Sequence, residues 1–190
     1  EEAEEHEHHH EEGEVEYDEH VWLSLKSATT LVRAINDAMC QVDADNADTY
    51  KANATAYTEK LAALDAEYAA CVKDAKYDTV LFGDRFPFRY LIDDYNLNYY
   101  AAFVGCSAET EASFETIAFL SEKVDELDLP AILVIETSDQ KIAKTIQSNL
   151  TSAKADILVM DSIQSTKLGE TSSYLDIMTQ NLEVLKKALN

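Results

Sequence analysis

All five histidines of this 190-residue chain fall within its first twenty positions. Four of them, His6, His8, His9 and His10, are interleaved with glutamates. The fifth, His20, stands apart in the segment Tyr17-Asp18-Glu19-His20-Val21-Trp22-Leu23. Imidazole nitrogens and carboxylate oxygens together form the donor set of borderline divalent cations such as zinc, and oxygen-rich sets also suit manganese. A flexible His/Glu stretch can gather such cations at the surface, with an affinity that falls as imidazoles protonate near about pH 6.5. The interleaved glutamates set this stretch apart from the clean histidine run of an expression tag. Taken alone, a histidine before an apolar segment is more often a packed or capping residue than a ligand, and local sequence leaves both readings of His20 open.

Several other chemistries lose their usual anchors. The four glycines, Gly13, Gly83, Gly105 and Gly169, are too far apart for a phosphate-cradling loop. The chain has no Gly-x-Ser-x-Gly elbow. No histidine lies beyond His20 to serve as a base beside a serine or cysteine nucleophile. No enzyme is expected, because nothing in the residue pattern calls for a covalent or proton-transfer step. A hydrolytic metalloenzyme would need a general base near an open metal position, and no residue stands out for that role.

The elements that would position these donors follow from apolar spacing. Residues 1–16 are Glu-rich and read as a disordered loop. Leu25, Ala28, Leu31, Val32, Ile35 and Met39 recur at steps of three and four and predict a helix over 23–42. A long helix is predicted over 45–76, with Tyr50, Ala54, Tyr57, Leu61, Leu64, Tyr68 and Cys71 on one stripe. At 1.5 Å per residue it would reach roughly 40 Å, more than one small domain needs. Short apolar runs then predict strands at 79–82, 99–104, 131–135 and 156–160, with helices at 86–95, 111–127, 139–149 and 172–189. This alternation implies an α/β fold built on a small, mostly parallel four-stranded sheet with flanking helices. Ligands of such sheets sit beyond the carboxyl ends of the strands. The residues to inspect are therefore Gly83-Asp84-Arg85, Gly105-Cys106-Ser107, Glu136-Thr137-Ser138 and Asp161-Ser162.

Charge points the same way as the donors. The formal net charge is -22; residues 1–19 hold eleven acids and no Lys or Arg, which leaves about -11 for the remainder. Such a field repels nucleic acid and anionic membrane and concentrates cations, so no nucleic-acid partner is expected. The apolar runs are strand-sized, short of a membrane span. Cys40, Cys71 and Cys106 are spaced like no thiolate metal motif and read as buried small residues, with a Cys40–Cys71 bridge open in an oxidising compartment.

The segment Tyr17 to Leu23 after a His-rich acidic loop resembles the Tyr-Asp-x-His-x-Trp-Leu motif of the zinc- and manganese-binding solute receptors of bacterial ABC importers. The segment Phe86 to Leu97, with Asp94-Tyr95-Asn96-Leu97, is similar to that family's aromatic helix ending in Asp-Tyr-Gly-Leu. The acidic turn Ser107 to Glu111 and the stretch Met160-Asp161-Ser162-Ile163 also fit. The likeness covers the chain from about residue 6 to its end and makes it look like the carboxy-terminal half of a two-lobed receptor. It implies a disordered His/Glu loop at 1–16, a remnant of an amino-terminal lobe at 17–44, an inter-lobe helix at 45–76 and a carboxy-terminal α/β lobe at 77–190. It also implies zinc, or less readily manganese, held by His20, Asp161 and Asp84, with His6, His8, His9 and His10 as an auxiliary collecting loop. The partner would be the membrane permease of an ABC importer. The protein would sit at the cell surface through a lipid anchor outside this chain, or in a periplasm.

Two departures qualify the likeness. Most of the family's amino-terminal lobe, with its first metal histidine, is absent. In addition, the family's third ligand position falls on Arg85, a side chain with no lone pair to give. Either Asp84 supplies the oxygen or the site keeps water; alternatively Arg85 pairs structurally with Asp84 or Asp161. Asp161 on local sequence is also a normal turn or cap residue. The competing expectation is a binding or adhesion module of the same fold without a working metal site.

Overall fold

A computed structural model describes residues 18–103, 112–165, 169 and 171–190. The histidine cluster at His6 to His10, Tyr17, Cys106 and the acidic turn Ser107 to Glu111 lie outside the described residues. The chain opens with a single 3-10 turn at Val21–Leu23, followed by α1 (Leu25–Val42) and α2 (Ala47–Lys73), an antiparallel helical hairpin. The remaining elements are β1 (Thr79–Phe82), α3 (Arg89–Asp94), β2 (Asn98–Ala101), α4 (Phe114–Leu127), β3 (Ala131–Ile135), α5 (Lys141–Ser148), β4 (Asp156–Met160) and α6 (Tyr174–Ala188). Three strands have the bounds their apolar runs predict. β2 starts one residue earlier than expected and ends at Ala101. Helix α3 starts at Arg89 with Phe88 as its N-cap, and Pro87 biases Phe86, the first residue of the predicted helix, away from helical geometry.

The four strands pair in parallel in the order β2-β1-β3-β4. Every residue of β1 and β3 is buried, as central strands covered on both faces require, while β2 and β4 form the half-exposed edges. Alternation along the strands sorts the core into two layers. Val80, Phe82, Leu133 and Ile135 pack with Leu61, Leu64 and Tyr68 of α2, with α3 and with α6. Leu81, Ile132 and Val134 face the other way, onto Leu120 and Val124 of α4 and Ala143 and Ile146 of α5. The chain leaves β1 for β2 on one side and returns through α4 to β3 on the other, so the topological switch point lies between β1 and β3.

Helix α2 is held to the lobe by the stripe its spacing marks, with Leu61, Leu64 and Tyr68 fully covered. The Tyr68 ring stacks on Tyr95 at 5.4 Å, and its hydroxyl donates to the Met178 carbonyl at 2.7 Å. Burial pushes this phenol far above its ordinary range, so it stays a donor. Tyr68→Phe is expected to lower stability by about 1–2 kcal/mol, read from urea unfolding, since it removes a buried bond and keeps the ring. An unchanged midpoint would show that the hydroxyl contributes nothing.

The stripe on α1 behaves differently. Only Leu25 and Ala28 are buried, while Leu31, Ile35 and Met39 are 43%, 59% and 40% exposed. Periodicity identifies a helix face, but it does not say how far along the helix other elements reach. The Cys40–Cys71 bridge is also overturned. The Cys40 sulfur lies 3.7 Å from the Ala47 carbonyl at the start of α2, and both cysteines are free. Cys71 lies roughly 36 Å further along that helix at 1.5 Å per residue, against the ~7 Å limit between bridged Cα atoms. Neither is a fully buried small residue, since both are half-buried.

Candidate metal centre

The segment ahead of α1 is fastened at both ends and in the middle. Tyr90 on α3 donates its hydroxyl to the Asp18 carbonyl at 2.8 Å. The Tyr174 hydroxyl at the start of α6 donates to the Trp22 carbonyl at 2.7 Å. Ser24 caps α1 by accepting from the Ser27 N–H, and donates its hydroxyl to Asp94 at 2.6 Å. These contacts bury His20 to 1% exposure beside Trp22, with ring centroids 5.3 Å apart. One Asp18 oxygen meets both the His20 backbone N–H, at 2.9 Å, and ring Nδ1, at 2.8 Å. A carboxylate at Nδ1 favours the tautomer protonated there, so Nε2 presents the lone pair. A buried histidine is held by such a bond whether it is packed or ligates a metal.

Asp161 follows β4. Its backbone is clamped by Asn181 of α6, which accepts from the Asp161 N–H and donates to its carbonyl, both at 2.8 Å. Its Oδ1 accepts from the Ile163 N–H at 2.7 Å. The turn geometry expected of a lone aspartate is therefore present, whereas the cap of α6 is Ser173. Ile163 adopts φ +59°, a left-handed conformation that a β-branched residue takes only under constraint. The loop is tethered by Glu136, at the end of β3, which accepts from the Ser162 N–H at 2.8 Å and from the hydroxyls of Ser162 and Ser165. Burial alone would raise the Glu136 carboxyl; the bonds from Ser162, the Glu136 N–H and Ser165 outweigh it and hold the group below the usual glutamate range. The tether is thus charged and formed at neutral pH, and it weakens only as acid protonates Glu136. Trp22 joins the two segments, donating its indole N–H to the Ser162 carbonyl at 3.1 Å.

Asp84 follows β1. Its Oδ1 accepts from the Arg85 N–H at 2.8 Å, and its Oδ2 is buried with no hydrogen-bond partner among the described residues. Arg85 forms no ion pair with Asp84 or Asp161, which removes the structural pairing expected of it. Asp84 and Arg85 line a cavity of about 240 Å3 with Phe103, Thr137, Ser138 and Ile142, and neither His20 nor Asp161 lines it.

The structure therefore brings the His20 segment onto the Asp161 loop and places Asp84 two strands away along the same sheet edge. Among the described residues, the three-donor group whose ligand atoms lie within 4.8 Å of one another is Asp18, Glu19 and His20, not His20, Asp84 and Asp161. Sequence reasoning missed the orienting role of Asp18 and the tether of Glu136. The first was visible as a carboxylate two residues before the histidine. The second had no local signal, because its partners lie 26 and 29 residues away.

The chain is an α/β lobe whose parallel sheet carries, at its carboxyl edge, a buried imidazole held by a carboxylate. The chain belongs to the family of zinc-uptake complex component A, periplasmic (ZnuA), whose pattern it matches over residues 1–188. It is 36% identical over 183 residues to the zinc-binding lipoprotein AdcA of Streptococcus pneumoniae, covering 95% of this chain and 34% of that protein. It is 32% identical over 173 residues to the high-affinity zinc uptake system protein ZnuA of Bacillus subtilis, covering 90% of this chain and 53% of that one. The fold superposes on the Zn(II)-bound ZnuA-like domain of S. pneumoniae AdcA with TM-score 0.72 and 30% identity, over 91% of this chain and 64% of that domain's chain. The chain thus spans a third to about half of the length of the curated relatives it matches. Family and fold agree with the resemblance carried by Tyr17 to Leu23 and Phe86 to Leu97. No described helix is long and apolar enough to cross a membrane.

Proposed function

We infer that this chain contributes to the solute-binding component of an ABC importer, which captures zinc outside the cytoplasm and delivers it to a membrane permease. The observation that carries this reading is the buried His20 ring, whose Nδ1 is held by Asp18 and whose segment is docked on the Asp161 loop. His20 Nε2 and an Asp161 oxygen are the first two zinc ligands. Asp84 supplies the third through its unpartnered oxygen. The ends of β1 and β4 are two strand spacings apart, roughly 10 Å. Two aspartates reaching inward, with metal–oxygen bonds of ~2.0–2.2 Å, can meet a cation between them. Glu136 and Asn181 position the Asp161 loop without touching the metal. Capture and release require no covalent step, so no catalytic residue is assigned. On this reading α2 joins two lobes, residues 1–16 collect cations, and the protein works at the cell surface on a lipid anchor or in a periplasm.

Calorimetric zinc titration of the protein with residues 1–16 deleted tests the assignment. Tight one-to-one binding is expected to survive the deletion. Weak multi-site binding that disappears with the deletion would leave the loop as a surface sponge and overturn the reading.

A further inference from the structure

His20 and Asp161 stand on two segments that are anchored separately. The Tyr90 and Tyr174 hydroxyls hold the carbonyls of Asp18 and Trp22, on either side of His20, to α3 and α6. Asn181 and Glu136 hold the loop that follows β4 against α6 and β3. A direct bond then crosses from segment to segment: the Trp22 indole N–H donates at 3.1 Å to the Ser162 carbonyl, 140 residues away in the chain. Its two ends lie next to the ligands. Trp22 is two residues from His20, with ring centroids 5.3 Å apart, and Ser162 is the residue after Asp161.

Ser162 passes this bond on to the Asp161 loop. It is fully buried, its carbonyl accepts from Trp22, and its N–H and hydroxyl donate to Glu136. A buried residue with its polar groups committed in this way turns only by leaving one of them unpaired, at a cost comparable to a lost hydrogen bond. The bonds of Glu136 and Asn181 place the loop relative to the sheet and α6, whereas the Trp22 bond places it relative to His20. Indole offers a donor and no lone pair, so Trp22 cannot itself coordinate a cation. Resting on the zinc assignment above, we propose that Trp22 is a positioning residue of the zinc site, whose indole bond sets the spacing between the His20 and Asp161 side chains. Zinc and this bond then stabilise each other by the same factor, because linkage between two such equilibria is reciprocal.

Trp22→Phe keeps an aromatic ring beside His20 and removes the donor. Its zinc affinity, read by chelator competition on the full chain, is expected to fall about 10–100-fold, the usual loss when a group that orients a metal ligand is removed. Tyr68→Phe, which removes a buried bond elsewhere in the lobe, is expected to leave zinc affinity unchanged. The native protein supplies a second readout that needs no variant. Its single tryptophan gives one indole N–H resonance, and zinc is expected to slow deuterium exchange of that proton by about the same factor. The Gly83 N–H, bonded to the Leu133 carbonyl in the sheet, is the reference for opening of the whole lobe, and its slowing is expected to be smaller. Native affinity in Trp22→Phe, an equal loss in Tyr68→Phe, or equal slowing at Trp22 and Gly83 overturns the proposal. His20→Ala tells this failure from failure of the zinc assignment. Tight stoichiometric zinc binding that survives His20→Ala sinks the assignment, whereas zinc binding lost in His20→Ala and intact in Trp22→Phe sinks only the role of Trp22.

Discussion

His20→Ala is expected to weaken zinc binding by at least about a hundredfold, and Asp161→Ala by a comparable factor. Loss of a group that merely orients a metal ligand typically costs 10–100-fold, and removal of the ligand itself costs more. His20 supplies the one imidazole of the proposed set, and the described residues contain no other histidine to replace it. The substitution also empties a site that is 1% exposed and leaves the Asp18 oxygen with the backbone N–H alone. Some stability is therefore lost even without metal, and the readout has to separate the two effects. Thermal unfolding with and without zinc does so. Zinc raises the stability of the native protein by RT ln(1 + [Zn]/Kd), so the metal-dependent increment, not the metal-free midpoint, reports the ligand. That increment is expected to vanish in both variants. An increment that persists in His20→Ala would mean that the bound metal touches other residues.

The elements around this site were legible in the chain to different degrees. β1, β3 and β4 are short apolar runs bounded by polar residues, and burial on the sheet faces keeps those bounds. Helix α3 was over-extended at its start because an aromatic run across Pro87 looks periodic until the proline's restriction on Phe86 is applied. The spacing on α1 marks a helix face, yet Leu31, Ile35 and Met39 are exposed, because covering that face is a tertiary fact. The site divides the same way. His20 stood out because its neighbours Tyr17, Asp18, Trp22 and Leu23 form a compact motif. Asp161 and Asp84 could be placed at strand ends from the strand pattern alone. The tether of Glu136, the clamp of Asn181 and the isolation of Arg85 depend on partners brought together by parallel crossovers, and no local spacing encodes them.

Gly83→Val is expected to be among the most destabilising single substitutions in the lobe, at about 3 kcal/mol, the upper end of what overpacking costs. Gly83 continues β1, donating its N–H to the Leu133 carbonyl at 2.9 Å. A Cβ built there would stand 2.9 Å from the Ala143 backbone Cα, from the Ala143 Cβ and from Ile132 Cγ2. The obstacle is the backbone of α5, which cannot turn aside as a flexible side chain would. Helix and strand must separate, and Ala143 and Ile146, now fully buried, lose packing on that face. Gly83→Ala meets the same first atoms but gains back roughly 0.4–1 kcal/mol from the less flexible unfolded chain. It should therefore cost less than valine and still more than a neutral change. Urea unfolding reads both: the midpoint should fall in the order native, alanine, valine, with an unchanged slope. The displaced helix also carries Ile142, a wall of the cavity that holds Asp84 and Arg85. Equal midpoints for all three proteins would mean that α5 has slack against β1, and the close approach on which the cavity's shape depends would not be a constraint.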